Sequence, residues 1–174
     1  MESLAPPPAA RLRPPTSGAR ILVSFIAAYS ILLLPWHDDG LWLRPDLMAL
    51  LLIYWGIHEP ALVGPGSAFL AGILVDFADS HVLGIHSLGY SLLFYLIQFH
   101  RIRILSFYRL NQMLHVLVLL MVTRWSSGLL NGMLGYPWPA WPWWVLPPLC
   151  AALCWPLLPP LIDRSPNGAP SQGR

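Results

Sequence analysis

The chain has 174 residues, of which 56% are hydrophobic and only 10% charged, with a formal net charge of +2. A soluble domain carries roughly 25% charged residues, so this chain cannot cover a water-facing surface, and so small a charge gives no reason to expect a nucleic-acid partner. Nine Trp suit a protein anchored at two membrane interfaces.

Residues 1–20 are rich in Pro, Ala and Arg and cannot bury a core, so they read as a disordered tail. The apolar run 21–34 follows. Arg11, Arg13 and Arg20 ahead of it resemble a signal peptide, but no small-x-small cleavage site precedes Pro35-Trp36-His37-Asp38-Asp39. It is expected to be an uncleaved first helix.

A spanning helix needs about 20 apolar residues, and five further segments approach that length. The second, 41–57, opens with Arg44-Pro45-Asp46, which reads as a helix start with proline in the first turn. The third, 61–78, is joined to it by only His58-Glu59-Pro60, which predicts a tight antiparallel hairpin. Segment 83–99 comes next, then a basic loop over 100–109 and the fifth segment, 110–130. The sixth, 143–162, holds Pro147, Pro148, Pro156, Pro159 and Pro160, which must kink it. Residues 163–174 form a second tail. The fold class expected is an all-α integral membrane protein, six transmembrane helices in one bundle over 21–162.

Basic residues set the orientation. With the first tail cytoplasmic, the inner side holds Arg11, Arg13, Arg20, Arg101, Arg103, Arg109, Arg164 and Arg174, and the outer side only Arg44. Arg124 lies within the fifth helix. Both termini are then cytoplasmic, which requires an even number of spans. The loop from 100 to 109, bearing Arg101, Arg103 and Arg109, either lies on lipid phosphates at the inner interface or receives a cytoplasmic partner. The outer segment 135–144 is dense in Trp and Pro, as an interfacial belt or rigid docking surface would be.

Intramembrane charge costs roughly 2.5–3.5 kcal/mol per residue, so each instance needs a reason. Asp76 and Arg124 are a candidate pair across the bundle; alternatively Asp76 lies at the interface and caps the loop 78–84. Asp76, Asp79, His81 and His86 cluster in sequence, but their spacing fits no standard metal site. Cys150 and Cys154, at i and i+4, read as packing residues rather than a metal or redox pair. His115 on an apolar face reads as a hydrogen-bonded packing residue. Nucleophile-elbow, Walker and dinucleotide motifs are absent from the sequence, so no catalytic, cofactor or metal residues are assigned. Gly66, Ala68 and Gly72, with Asp76 and Gly84 following, mark a close helix–helix seam, within the chain or toward a partner.

Arg44-Pro45-Asp46 leading to Tyr54-Trp55 and then Pro60 resembles the second helix of the rod-shape-determining protein MreD family. Gly66 and Gly72 followed by Asp76, then Leu83-Gly84-Ile85-His86 and Leu88, resemble that family too, as does Pro35-Trp36 after the first helix. The resemblance runs over about 22–162 and is strongest over 43–98. It implies a non-catalytic inner-membrane scaffold of the bacterial elongation machinery, supporting lateral peptidoglycan synthesis and cell shape. The partners it implies are the bitopic protein MreC, the actin-like MreB, and a SEDS-type glycan polymerase with its class B transpeptidase, in contact with membrane lipid. It also implies a fold similar to the substrate-binding subunits of energy-coupling-factor transporters. From the residues alone, a small-molecule-binding or transport subunit is the alternative.

Overall fold

The computed structural model describes residues 17–36, 40–79, 82–106 and 108–162. Residues 1–16 of the expected first tail (1–20) and the whole of the second, 163–174, therefore lie outside the described residues, as does His81, whereas Gly18 to Arg20 already belong to the first helix. The described chain is helical throughout: α1 (Gly18–Leu32), α2 (Gly40–Leu43), α3 (Leu47–His58), α4 (Pro65–Ala78), α5 (Ile85–Leu105), α6 (Arg109–Met133) and α7 (Pro142–Cys154), continued by a 3-10 turn (Trp155–Leu157) into α8 (Leu158–Ile162).

Helix α3 is the axis of the bundle. Its sequence, LMALLLIYWGIH, is apolar on every side, and a helix of that kind belongs inside. Every residue from Met48 to Ile57 is buried. Around it lie α1, α5, α6 and α7, while α4 packs along α5, α5 along α6, and α6 along α7. The outer faces remain apolar: Leu70, Phe77, Phe99, Leu110, Val118 and Leu153 are each more than half exposed. Apolar surface on this scale marks an interface with lipid or protein. Two helical stretches, Leu110–Met133 and Pro142–Ile162, are long and apolar enough to cross a membrane, and three shorter apolar helices accompany them. This is the architecture of a helical membrane protein.

Three local expectations are corrected, and a fourth, the proline-broken last segment, is met. The second segment is not one helix over 41–57, because Arg44-Pro45-Asp46 separates α2 from α3. Proline disfavours helical backbone in the residue before it. Asp46 then starts α3 as its N-cap, accepting from Ala49 N at 2.9 Å, so Pro45 lies just outside the helix.

Helices α3 and α4 do not form a hairpin in the packing sense; α4 turns away after residues 59–64 and lies against α5. The expected basic loop is largely helix. Arg101 and Arg103 ride on the last turns of α5, and Arg109 begins α6. Arg101 donates its Nε–H to the Ile57 carbonyl at 2.8 Å, satisfying an orphan acceptor at the end of α3. Finally, the proline-crowded last segment interrupts its α-geometry at Trp155–Leu157, where Pro156 sits in a 3-10 turn.

Candidate functional site

One end of the bundle collects the start of α3, the end of α4, the start of α5, the end of α6 and the start of α7. Its polar residues come from segments far apart in sequence, most of them at or near a helix terminus.

Asp76, in the last turn of α4, is fully buried. Its Oδ2 accepts from Gly84 N at 2.8 Å and its Oδ1 from His86 N at 3.0 Å. The carboxylate therefore caps α5 from a neighbouring helix, placing negative charge where first-turn N–H groups lack intrahelical partners. The His86 ring Nδ1 lies 2.8 Å from Oδ1. A carboxylate only accepts, so Nδ1 carries the proton. Gly84 has φ +108°, a left-handed conformation that swings the chain into this cap. The helices can be this close because Gly72 has no side chain: a Cβ there would run into the backbone of His86 and Ser87.

Arg44 and Asp79 form an ion pair in which one nitrogen, Nη2, lies 2.7 and 2.8 Å from the two carboxylate oxygens. Asp46 carries a second load besides capping α3, since its Oδ1 accepts from the Tyr90 hydroxyl at 2.7 Å. Tyr90 is wholly buried on α5, so this bond ties α5 to the start of α3.

Arg124 on α6 donates its Nε–H to the Trp143 carbonyl at 3.2 Å, and its guanidinium carbon lies 4.4 Å from the Trp143 ring centroid. The tryptophan segment before α7 folds back over α6. Gly128 leaves room for the Trp144 ring and Gly132 for that of Trp138. Trp144 also meets Trp125 and Trp138, at centroid distances of 5.3 and 5.7 Å. Between these elements is a cavity of about 260 Å³, lined by Asp79, His86, Arg124, Asn131, Tyr136 and Trp144 among others.

The expected Asp76–Arg124 pair is not formed. Asp76 is engaged by the start of α5, and Arg124 by Trp143; Asp76 is buried rather than at a water interface. Asp76, Asp79 and His86 do share this end of the fold, yet the two carboxylates serve different partners, His86 and Arg44. The small-residue seam is internal at Gly72 and Ala68, both buried, whereas a Cβ at Gly66 would meet open space. A bulky residue at 72 therefore acts on the fold, and its effect on assembly would not map a partner. His115 Nδ1 lies 2.8 Å from the Asn111 carbonyl, a local bond of the kind expected. Cys150 and Cys154 are free thiols.

Sequence reading missed the Arg44–Asp79 and Asp46–Tyr90 links, which join residues 35 and 44 apart. It also missed the glycines under the tryptophans. The G-x-x-x-G spacing of Gly128 and Gly132 was the available signal.

A sequence model of the family "rod shape-determining protein MreD" matches residues 18–161. The chain belongs to the MreD family. It is 35% identical over 77 residues to the rod shape-determining protein MreD of Haemophilus influenzae, a match covering 44% of this chain and 48% of that protein. The chain thus spans about half the length of that curated relative. No solved structure matches. The MreD match begins at the first residue of α1 and ends one residue before the end of α8, so the polar cluster and cavity lie wholly inside the family's unit.

Proposed function

We propose that this chain is a non-catalytic scaffold of the bacterial rod-shape machinery, embedded in the inner membrane by six spans over 21–162 with both termini cytoplasmic. The observation that carries the reading is the MreD family match over essentially the whole helical unit. In this reading the scaffold supports lateral peptidoglycan synthesis by holding an MreC-type bitopic protein, an MreB-type filament and a SEDS-type polymerase with its class B transpeptidase. Two features support it. Basic residues gather on one side, at Arg101, Arg103 and Arg109, and the titratable groups of the polar cluster hold helices together, with only Arg124 keeping its Nη donors unbonded among the described residues.

The single transmembrane helix of an MreC-type partner would pack on an outward apolar face. The outer face of α4 offers Leu70, Leu74 and Phe77, all exposed, with Gly66 open at its start. Gly66, Leu70 and Leu74 recur every four residues, so they share one stripe.

The test is controlled depletion in the native bacterium, imaging cell shape and new wall incorporation. Rounded, widening cells with dispersed lateral synthesis are expected. Normal rods in a strain without a second copy would sink the scaffold reading. That outcome would favour a small-molecule-binding subunit, which has the cavity beside Arg124 on its side.

A further inference from the structure

Arg124 has donors that no group among the described residues takes up. Among the described residues its Nε is bonded to the Trp143 carbonyl, and neither Nη nitrogen has a hydrogen-bond or ion-pair partner. Every fully buried side-chain nitrogen and oxygen among the described residues does have a partner. The two Nη groups therefore keep accessible surface, and Arg124 lines the cavity of about 260 Å³.

The carboxylates within electrostatic range are Asp46 and Asp79. Asp79 is ion-paired with Arg44 through Nη2, while Asp46 accepts from two neutral donors, Ala49 N and Tyr90, and is bonded to neither Arg44 nor Arg124. Arg44, the other nearby cation, is neutralised by the same pair. His86 also lines the cavity, with its Nδ1 turned to Asp76. Arg124 is thus a cation at the cavity wall whose Nη donors have no partner among the described residues, with the charge of Asp46 near it but not bonded to it. The Asn131 amide lines the same cavity, and none of its side-chain atoms is bonded to the described residues.

Depth matters to the identity of the ligand. Arg124 lies nine positions before Met133, about 14 Å along α6 from its end. Yet its guanidinium bonds the carbonyl of Trp143, in the first turn of α7. The side chain climbs toward the end of the bundle, as long basic side chains in membranes do. Trp138, Trp141 and Trp144 crowd that level, which is where aromatic belts meet lipid headgroups. A planar guanidinium with two open nitrogens matches the oxygens of a phosphate bidentately.

We infer that this cavity is a phosphate site: the Nη groups of Arg124 form the fork, the Asn131 amide adds a donor, and Trp144 and Tyr136 wall the group to which the phosphate is attached. The phosphate belongs either to a membrane lipid headgroup or to a water-soluble phosphate. The assignment stands independently of the scaffold reading.

The test uses the full chain, purified and stripped of lipid in detergent. Binding of dioleoylphosphatidylglycerol and of dioleoylglycerol, which lacks the phosphate, is measured by native mass spectrometry. Thermal stability is followed with inorganic phosphate and glycerol 1-phosphate against chloride at equal ionic strength. A preference of roughly tenfold or more for a phosphate-bearing probe is expected, lost in Arg124→Gln. Stabilisation by the soluble phosphates assigns a soluble ligand; preference seen only with the lipid pair assigns a headgroup. Asn131→Leu fills the cavity without touching the Arg124–Trp143 bond, so it serves if Arg124→Gln fails to fold, and it too should abolish the preference. Equal binding of both lipids with no response to soluble phosphate, or a preference surviving in a folded variant, overturns the site.

Discussion

The α4–α5 and α6–α7 joints stand side by side at one end of the bundle and are built in opposite ways. Each depends on a glycine in mid-helix. At α4–α5, Gly72 admits another backbone, and the buried charge of Asp76 is matched by N–H groups of the neighbouring helix. At α6–α7, Gly128 admits a tryptophan ring, and the cation of Arg124 is only partly matched. A buried polar group with every partner in place rigidifies a fold, whereas a half-buried one with open, accessible donors is placed to bind something else. The first joint therefore reads as structure and the second as a place for something else.

The largest effect expected is at Gly72. Even Gly72→Ala puts a Cβ into the backbone of His86 and Ser87, which no rotamer change relieves, so a loss of about 3 kcal/mol or more is expected in detergent-denaturant unfolding. Gly66→Ala is the control, because its Cβ meets open space; helix propensity should make it neutral or stabilising by about 0.5 kcal/mol. Equal effects at the two glycines would break the account of the α4–α5 joint.

That contrast was only half legible in the sequence. Gly66 and Gly72 both lie on the small-residue run of α4, but nothing in the run says which one faces α5. In water, an amphipathic stripe shows the inward face of a helix. Here Leu70 is exposed and Leu50 buried, and both faces a helix presents, to core and to exterior, are apolar. The positions of the long helices were readable from hydropathy to within a few residues, and so was the kinship carried by Arg44-Pro45-Asp46 and the glycines. Pairings such as Arg44–Asp79 were not, because they depend on which helices meet, and local patterns do not encode that.

Asp76→Ala should come next. It strands the buried N–H of His86 and the half-buried N–H of Gly84, with an expected cost of about 2–3 kcal/mol. Asp76→Asn keeps one acceptor oxygen and should lose roughly half as much. An Asp76→Ala chain as stable as the parent would mean that the cap contributes nothing. At the other joint, Gly128→Ala pushes against the Trp144 ring, and a cost of about 2 kcal/mol is expected. The same substitution made in a Trp144→Ala background should cost much less, since the group it displaces is gone. Additive effects would show that the tryptophan does not rest on Gly128.

The smallest effect probes the link between the joints. Tyr90 projects from α5 to Asp46, at the start of the axial helix, so its hydroxyl ties the satisfied joint to the core rather than to the cavity. Tyr90→Phe keeps the buried ring and removes only that donor. Asp46 still accepts from Ala49 N and is not fully buried, so water can replace part of what is lost; a cost of about 1 kcal/mol is expected. In an Asp46→Asn background the hydroxyl faces a neutral amide instead of a carboxylate, and the cost should shrink. Phosphate binding at Arg124 should be unchanged by Tyr90→Phe, because the hydroxyl contributes to holding α5 on α3 and not to the cavity wall. A loss of binding together with the loss of stability would show that the two joints act as one unit, and the division between a structural and a ligand-binding half would fail.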